Sequence, residues 1–397
     1  MSDTSSPRRG WFGRKRVEDR ALTVTSVPPA LLSTTSSGAT VTPANALAIA
    51  DAWACIRALS DAASSLPLIA YRSAATGRQR VSDGVLPELL RRPAPATTQA
   101  NLIGQAMAHL QLHGNAFIGK FRGDGVVEQL ALLAPDRVTV ELRGGMPFYA
   151  FRDGVGRETI LGPGDVIHVR GMSTDGVVGL SPVAQAREAL GLSARLTEHA
   201  ARFFANDARP SGILSVPAGP GVQDSIDNLK LAWEARHGGT ANAHRIAVLS
   251  GEVAFNPVSM PLEDAQFLEQ RKLSATEIAR VFRVPPWIIG ADAGSSMTYA
   301  NVEQQALAFV TYSLRPWLVV IEQAISADDD LCPGDLYVEF LLDALLRGDS
   351  KTRSEVYAAA LDPLTGWMTR DEVRRLENLA PEPPTLRPTP EELLNAA

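Results

Sequence analysis

The sequence lacks the features that mark several large protein classes. Only two cysteines, Cys55 and Cys332, occur in 397 residues, too few for a disulfide framework and without metal-ligand spacing. No apolar run approaches the ~20 residues of a membrane-spanning helix. No apolar segment follows the basic first 20 residues, as a secretory signal requires. We therefore predict a soluble, intracellular protein with no membrane partner.

The chain also lacks an excess of positive over negative charge. The formal net charge is -6, whereas a protein that grips nucleic acid by neutralising many phosphates needs a basic surface. The composition argues against a tight nucleic-acid binder, but it permits a protein that merely surrounds nucleic acid.

Motifs of catalysis and metal binding are absent. The chain contains no GxxxxGK[ST] phosphate loop, no GxSxG nucleophile elbow, no HExxH and no EF-hand loop. The acidic run Asp328, Asp329 and Asp330, with Asp335 nearby, is typical of a solvated turn, and a divalent cation site is the less favoured interpretation. We predict no catalytic residue, no cofactor and no metal site.

Two histidine arrangements offer alternatives. His109 and His113 have the spacing of two metal ligands on a helix, but no third ligand is apparent and the neighbouring leucines indicate packing. His168 lies in a strand pattern with Asp175 seven residues further on. We interpret His168 as a hydrogen-bonded strand residue, and a small-ligand enzyme that uses His168 and Asp175 is the alternative.

Hydrophobic periodicity predicts an α+β chain. Residues 1–44, basic at first and then rich in Ser, Thr, Pro and Ala, are expected to form a disordered arm. Order is expected from near Pro43, with Asn45 capping a helix whose apolar face includes Trp53. Up to residue 180, helices are mixed with strands that turn residues punctuate about every ten residues, which favours an antiparallel sheet.

Two long helices are predicted around a compact insert. Ser181 caps the first, Pro182 begins it, and it is expected to end at Asn206. The second runs from Asp264 to Val284, where two prolines stop it. The ~50 residues between the two helices are expected to form a βαββ unit, with strands at 213–216, 246–249 and 253–257 and a helix at 222–237.

The second long helix carries a basic stripe and is followed by a loop of small residues. Lys272, Arg280 and Arg283 fall on one side of the helix. They form either a solvated face or a surface that makes sparse contacts with a polyanion. The loop from Gly290 to Thr298 lacks bulk and is expected to be mobile. A third long helix follows and is kinked at Pro316. Two shorter helices also have end signals: one from Thr98 to Leu112 is broken at Gly114, and Thr369 and Glu372 have capping-box spacing in the last helix.

Several stretches resemble the portal proteins of long-tailed bacteriophages and gene transfer agents. Their order and spacing cover about residues 45 to 380. The matching stretches are LHGNAF at 112–117, LAPDRV at 133–138, VIHV at 166–169, DGVVGLSP at 175–182, PSGIL at 210–214, DAQFLE at 264–269, EIAR at 277–280, VPPWIIG at 284–290 and YANVEQ at 299–304.

This resemblance implies a ring of twelve subunits with heterologous contacts, at one vertex of a phage capsid or gene transfer agent particle. It further implies that double-stranded DNA passes through the ring during packaging and ejection. The implied partners are the large terminase subunit, the major capsid protein and a head-tail adaptor protein. No catalytic residue is implied, because the packaging ATPase is a separate subunit.

The resemblance also implies a division of the chain. DNA would pass a tunnel loop that includes Ala293, Gly294, Ser295, Ser296 and Met297, and the basic stripe would face the channel. The implied regions are a disordered arm (1–44), a mixed α/β wing (45–180), the first stem helix (181–210), a small clip (211–261), the second stem helix (262–284), the tunnel loop region (285–301), the rest of the wing with the kinked helix (302–345), a short helical crown (346–380) and a disordered tail (381–397).

Overall fold

The computed structural model describes most of the chain. The described residues are 22–24, 34–75, 77–205, 212–215, 254–257, 263–291, 299–342, 350–363, 365–377 and 380. They contain no helix long and apolar enough to cross a bilayer. The chain divides into two compact units, one formed by residues 1–65 and 69–339 and the other by residues 66–68 and 340–397.

Runs of helices and runs of strands follow one another along the chain, as expected for an α+β fold. The helices are α1 (Pro43–Ala46), α2 (Ala50–Ser64), α3 (Val85–Arg91), α4 (Gln99–His113), α5 (Pro182–Gln185), α6 (Arg187–Ala205), α7 (Glu263–Val281), α8 (Tyr299–Ala308), α9 (Arg315–Ser326), α10 (Ser350–Ala360) and α11 (Arg370–Leu376). The strands are β1 (Leu22–Val24), β2 (Leu68–Ala74), β3 (Gly77–Arg80), β4 (Asn115–Gly123), β5 (Val126–Leu133), β6 (Val138–Arg143), β7 (Met146–Arg152), β8 (Glu158–Leu161), β9 (Val166–Arg170), β10 (Gly212–Ser215), β11 (Ala254–Pro257) and β12 (Leu336–Phe340).

The described strands form four small sheets. Their orders are β1-β6-β7-β8, β5-β4-β9, β12-β2-β3 and β10-β11. Strand β4 pairs antiparallel with both of its neighbours, and β6 does the same in its sheet. The predicted antiparallel character of the first globular part is therefore confirmed.

One hydrophobic cluster of the first unit is formed by strands of the sheets that contain β4 and β6. Six buried residues form one cluster there: Phe117, Leu133, Val140, Tyr149, Val166 and Val178. Residues 115–120 of β4 are all buried, so both faces of this strand are covered. Helices α2 and α4 pack against each other in the same unit.

The start of the ordered chain differs from the prediction. Thr42, not Asn45, caps the first helix, and Asn45 Oδ1 accepts a hydrogen bond from Thr42 N in return (2.7 Å). The longer helix begins only at Ala50, and Trp53 is 47% exposed. The apolar spacing allowed Trp53 to be buried. Neighbouring residues of α2 form the buried face of the helix instead.

The expected disordered arm is wrong for two described parts of residues 1–44. Leu22–Val24 pairs antiparallel with β6, which covers that sheet edge. Residues 35–39 form a turn that we call the strap, because it lies across α6. Ser36 N donates to Glu188 Oε2 (3.0 Å), and the Arg195 guanidinium donates to the carbonyls of Ser37 and Gly38. Residues 1–21 and 25–33 lie outside the described part.

Helix ends set by local chemistry are confirmed. Thr98 caps α4, and Gly114 ends it with a φ of 74°. Ser181 caps α5 at Pro182, although Ala186 interrupts the predicted continuous helix between α5 and α6. In the second unit, Thr369 and Glu372 form the predicted capping box (Thr369 N to Glu372 Oε2, 2.7 Å).

The third long helix breaks before Pro316. Between α8 and α9, residues Phe309–Leu314 form a π-helical segment, and Arg315 N donates to Val310 O. Proline lacks an N–H and its ring clashes with the carbonyl four residues earlier, so the preceding turn widens. The predicted interruption is confirmed, and it takes the form of a π-helical segment.

The insert is described only in part. Strands β10 and β11 correspond to the predicted first and last strands of the βαββ unit, and they pair antiparallel. The predicted helix at 222–237 and strand at 246–249, and the predicted tail at 381–397, lie outside the described residues.

A glycine-rich junction joins the β4 sheet to α5. Gly171 N donates to Gly114 O (2.8 Å), and a Cβ on Gly114 would lie 2.2 Å from Leu180 O. The Asn115 side chain donates to Gly179 O (2.9 Å) and accepts from Gly179 N (2.7 Å). Ser181 Oγ, which caps α5, donates to Leu112 O (2.6 Å). The junction therefore fixes where the first long helix starts.

Gly114→Ala tests the junction against a matched control. Gly125 also has a positive φ (84°), but a Cβ there meets nothing within 4 Å. We expect Gly125→Ala to cost about 1 kcal/mol of unfolding free energy from backbone strain alone. Gly114→Ala adds a clash with backbone and should cost roughly 3 kcal/mol or more. Chemical denaturation of both variants measures the difference, and equal costs would contradict the close packing.

Candidate functional site

The second half of helix α7, with Phe282 just after its end, is packed on one face and exposed on the other. Ile278, Ala279 and Phe282 are buried, and α7 packs against α6 and α2. Burial raises the pKa of Asp51 on α2, and the nearby Arg271 of α7 opposes this shift. The predicted amphipathic character of this helix is confirmed.

The helix ends in a Schellman motif with an arginine in the left-handed position. Val284 N donates to Ala279 O (2.9 Å) and Arg283 N donates to Arg280 O (3.1 Å). Arg283 has a φ of 56°, a conformation that glycine usually supplies at this position. Val284 and Ala279 are both buried, which is the apolar contact that accompanies this motif. The helix therefore ends at Val281, three residues before the predicted limit.

The double proline redirects the chain after this stop. Pro286–Ile289 forms a single 3-10 turn, and Gly290 follows with a φ of 73°. Ala291 N donates back to Pro286 O (2.9 Å). Trp287 is half-buried. This hydrogen bond therefore closes the turn before the predicted loop begins.

The predicted site residues fall into two groups. Lys272, Arg280 and Arg283 are all exposed, but only Lys272 and Arg280 lie within α7, because Arg283 follows its end. Their orientation toward a channel stays a prediction. Ala293, Gly294, Ser295, Ser296 and Met297 lie outside the described residues, between Ala291 and Tyr299.

The outer halves of α6 and α7 have no buried side chain in their described parts. Residues 194–202 of α6 are exposed or half-buried, and residues 269–273 of α7 are exposed without exception. Five consecutive helical residues point in all directions around the axis. The described residues of a single chain therefore bury no side chain in this part of the helix pair.

The histidine arrangements have structural partners. His168 Nε2 lies 2.9 Å from Asn115 Oδ1, and burial lowers the pKa of His168 to about 3. Burial opposes ionisation of Asp175, but hydrogen bonds from Val178, Val177 and Ser173 hold its pKa below the usual value. Asp175 is thus engaged in its own turn. Although a cavity of about 380 Å³ is lined in part by His168, Asp175 does not line it.

The pair on α4 is also buried. Burial lowers the pKa of His109 to about 4, with a smaller contribution from His113. Their ring centroids are 6.5 Å apart. Among the described residues, no group of three or more His, Cys, Asp or Glu side chains could hold a metal ion.

The acidic run is not a solvated turn throughout. Asp328 and Asp330 lie 2.5 and 2.6 Å from Lys120 Nζ, whose side chain is 1% exposed. Asp330 also lies 2.6 Å from Arg122, and bonds from Lys120 and Arg122 hold the pKa of Asp330 below its usual value. The interpretation is therefore corrected for these two residues. The network ties the end of α9 to β4, because a buried lysine must be paired.

Sequence reasoning missed the polar residues that organise this unit. Asn115 is fully buried and bonds to Gly179, 64 residues away. Lys120 lies in an otherwise apolar strand and bonds to residues more than 200 positions away. A polar residue inside a buried strand is the signal that could have revealed both.

The family model described as "Phage portal protein" matches residues 50–378. The chain is 34% identical over 364 residues to the probable portal protein of Streptomyces phage phiC31. The alignment covers 88% of this chain and 78% of that protein. It is 29% identical over 346 residues to the portal protein of Enterobacteria phage HK97, with 85% and 80% covered.

Solved structures share the fold. A chain of the virion of a native gene transfer agent particle superposes with a TM-score of 0.65 at 24% identity, covering 91% of this chain and 96% of that chain. An HK97 family phage portal protein from Corynebacterium diphtheriae gives a TM-score of 0.52 at 19% identity, covering 78% and 98%. At these identities the likeness shows the fold.

Replacing Arg283, which has a left-handed backbone conformation, with glycine should stabilise the protein. Because glycine adopts positive φ without a Cβ clash, Arg283→Gly should be about 1 kcal/mol more stable than Arg283→Ala. Arg280 lies inside α7, so Arg280→Gly should be about 1 kcal/mol less stable than Arg280→Ala. Thermal or chemical unfolding of the four variants measures both differences, and the same sign at both positions would contradict the helix end described here.

Acid should destabilise the protein through His168. The unfolded chain binds a proton at His168 below pH 6.5, whereas the folded chain resists it down to about pH 3. Stability therefore falls as pH decreases through this window, by about 1.4 kcal/mol per pH unit. His168→Gln should flatten this dependence. Unfolding free energies measured from pH 7 to pH 4 test this, and an unchanged slope in His168→Gln would refute it.

Proposed function

This chain belongs to the phage portal protein family, and on that premise we propose that it forms the ring-shaped channel at one vertex of a phage capsid or gene transfer agent particle. Double-stranded DNA passes through this channel during packaging and ejection. The match to the family model over residues 50–378 carries the proposal.

The ring has independent physical support in the helix pair. The described outer parts of α6 and α7 have no buried side chain, and a helix pair that is wet all round gains stability only by packing against neighbours. Contacts between identical chains around an axis supply that burial when the rotation closes. We assign twelve copies, as in the family resemblance.

The parts of the chain take the roles that the family suggests. Residues 181–210 and 262–284 form the stem, and residues 211–261 form a clip that docks the large terminase subunit and a head-tail adaptor protein. The wing, formed by residues 45–180 and 302–345, meets the major capsid protein. The pairing of β10 with β11 supports the clip as a separate small sheet.

A channel lining with few positive charges suits the passage of DNA. Strong phosphate binding would hold the duplex in place, because each neutralised phosphate adds to the affinity. Lys272, Arg280 and Arg283 give a few exposed positive charges on a chain of net charge -6. Exposed charges act only over about a Debye length, ~8 Å at physiological salt. The wall therefore contacts passing DNA without clamping it.

We propose no catalytic role for this chain. The enzyme alternative required His168 and Asp175 to act together on a small ligand. His168 is bonded to Asn115 and Asp175 to its own turn, so neither group is presented for such a reaction. The energy for packaging then comes from a separate ATPase.

Changing the basic stripe should alter DNA transport without unfolding the protein. Lys272, Arg280 and Arg283 changed together to glutamine remove three exposed charges, so packaged DNA per particle or the ejection rate should change while thermal stability stays within about 1 kcal/mol. The control changes Arg57, Arg91 and Arg152 to glutamine, since these exposed arginines lie outside the stem and pair with nearby acids. Equal transport in both variants would contradict a channel role for the stripe.

Deletion of Ala293 to Ser296 tests the proposed tunnel loop. These four small residues are expected to contact moving DNA and not the ring interface. The deletion should leave assembled rings at wild-type yield but lower the DNA packaged per particle, measured by nuclease protection. Unchanged packaging would refute the role, and loss of the ring would make the segment structural.

A further inference from the structure

Two exposed apolar patches occur on different helices of the stem pair. Leu192 on α6 is 45% exposed and Leu273 on α7 is 57% exposed. Leu196 is half-buried and lies one turn after Leu192, on the same side of α6. We call Leu192 and Leu196 the leucine face of α6. Single exposed leucines are common on protein surfaces, but leucines that lie together on a helix face form the kind of apolar patch that occurs at protein interfaces.

The strap limits what can cover the leucine face. Residues 35–39 lie beside it, because a Cβ on Gly191 would lie 2.7 Å from Thr35 Oγ1 and Arg195 donates to Gly38 O. Part of the chain itself is therefore already seated on the neighbouring side of α6. Leu192 remains 45% exposed next to the strap, so this side of α6 is open to a second copy of the chain.

The two patches lie at similar distances from the ends of their own helices. Helices α6 and α7 each contain 19 residues and pack together, and β10 and β11, which follow and precede them, pair antiparallel. Leu192 lies ~7.5 Å from the start of α6 and Leu273 ~12 Å from the end of α7, at 1.5 Å per residue. The difference is less than one helical turn. Copies related by rotation about a ring axis share their heights, so these patches can meet.

The charges beside the leucine face are compensated within α6. Arg195 lies 2.6 Å from Glu198, and Arg202 also pairs with Glu198. On α7, Glu269, Arg271 and Lys272 lie within four residues of Leu273 and are exposed. Because Glu198 and Glu269 accompany the positive charges on the two helices, apolar burial decides the contact.

We propose that Leu273 of one copy packs against the leucine face of α6 in the next copy, as the heterologous contact that closes the stem of the ring. This rests on the proposed ring. Two different patches on one chain that fit each other generate a head-to-tail assembly. The partner is therefore a second copy of this chain, and each copy uses one patch toward each neighbour.

Cysteine cross-linking between differently tagged chains tests the contact. Leu192→Cys and Leu273→Cys chains are co-expressed, purified as mixed rings and treated with an oxidant or a short bismaleimide. The two natural cysteines are buried and should stay silent. We expect a band at twice the chain mass that contains both tags. Leu273→Cys mixed with Val155→Cys, at a position 92% exposed on a hairpin, should give no such band.

The outcomes separate this contact from the ring itself. Mixed rings without the cross-link, or an internal cross-link within a single Leu192→Cys/Leu273→Cys chain, overturn the contact but leave the ring intact. Failure of the unmodified chain to form rings overturns the proposed function. As a second measurement, Leu273→Asp should shift the assembled species to smaller ones with unchanged circular dichroism, whereas Val155→Asp should not. Wild-type assembly of Leu273→Asp would contradict the proposal.

Discussion

Lateral burial of the helix pair α6 and α7 is the constraint on which the rest of the molecule depends. Their inner halves contribute buried residues such as Leu190 and Ile278, whereas their described outer halves contribute none. Two helices that do not bury a face are marginal in water. On the proposed function, this helix pair gains its burial from copies of the same chain, and a channel is the arrangement that such copies produce around an axis.

Other parts of the first unit fix where this helix pair begins and ends. The junction of Gly114, Asn115 and Gly179 sets the start of α5, and the Schellman motif with the double proline sets the end of α7. Lys120 and its two aspartates hold the end of α9 to β4. These contacts are buried and polar or sterically close, so they tolerate little change in geometry. A rigid frame around a wet helix pair is consistent with a wall that must withstand passing DNA.

Local chemistry made part of this architecture predictable from sequence. Ser181 with Pro182, Thr369 with Glu372, and the stop before Pro285 act through neighbours within a few residues, and each was located correctly or within three residues. Asn115 and Lys120 were missed because their partners lie 64 and more than 200 residues away. The exposure of Trp53 and the pairing of Leu22–Val24 depend on the assembled sheet and helices. Such placements follow from tertiary packing, which hydrophobic spacing alone does not specify.

The central claim is that this chain closes into a ring with an open channel. Native mass spectrometry of the purified full-length protein, with electron micrographs of the same sample, tests it most directly. The account predicts closed rings of about a dozen 42.5 kDa chains, roughly 510 kDa in total, with a central hole. A species that stays at the mass of one chain at all concentrations, with no ring at the vertex of an assembled particle, would contradict it.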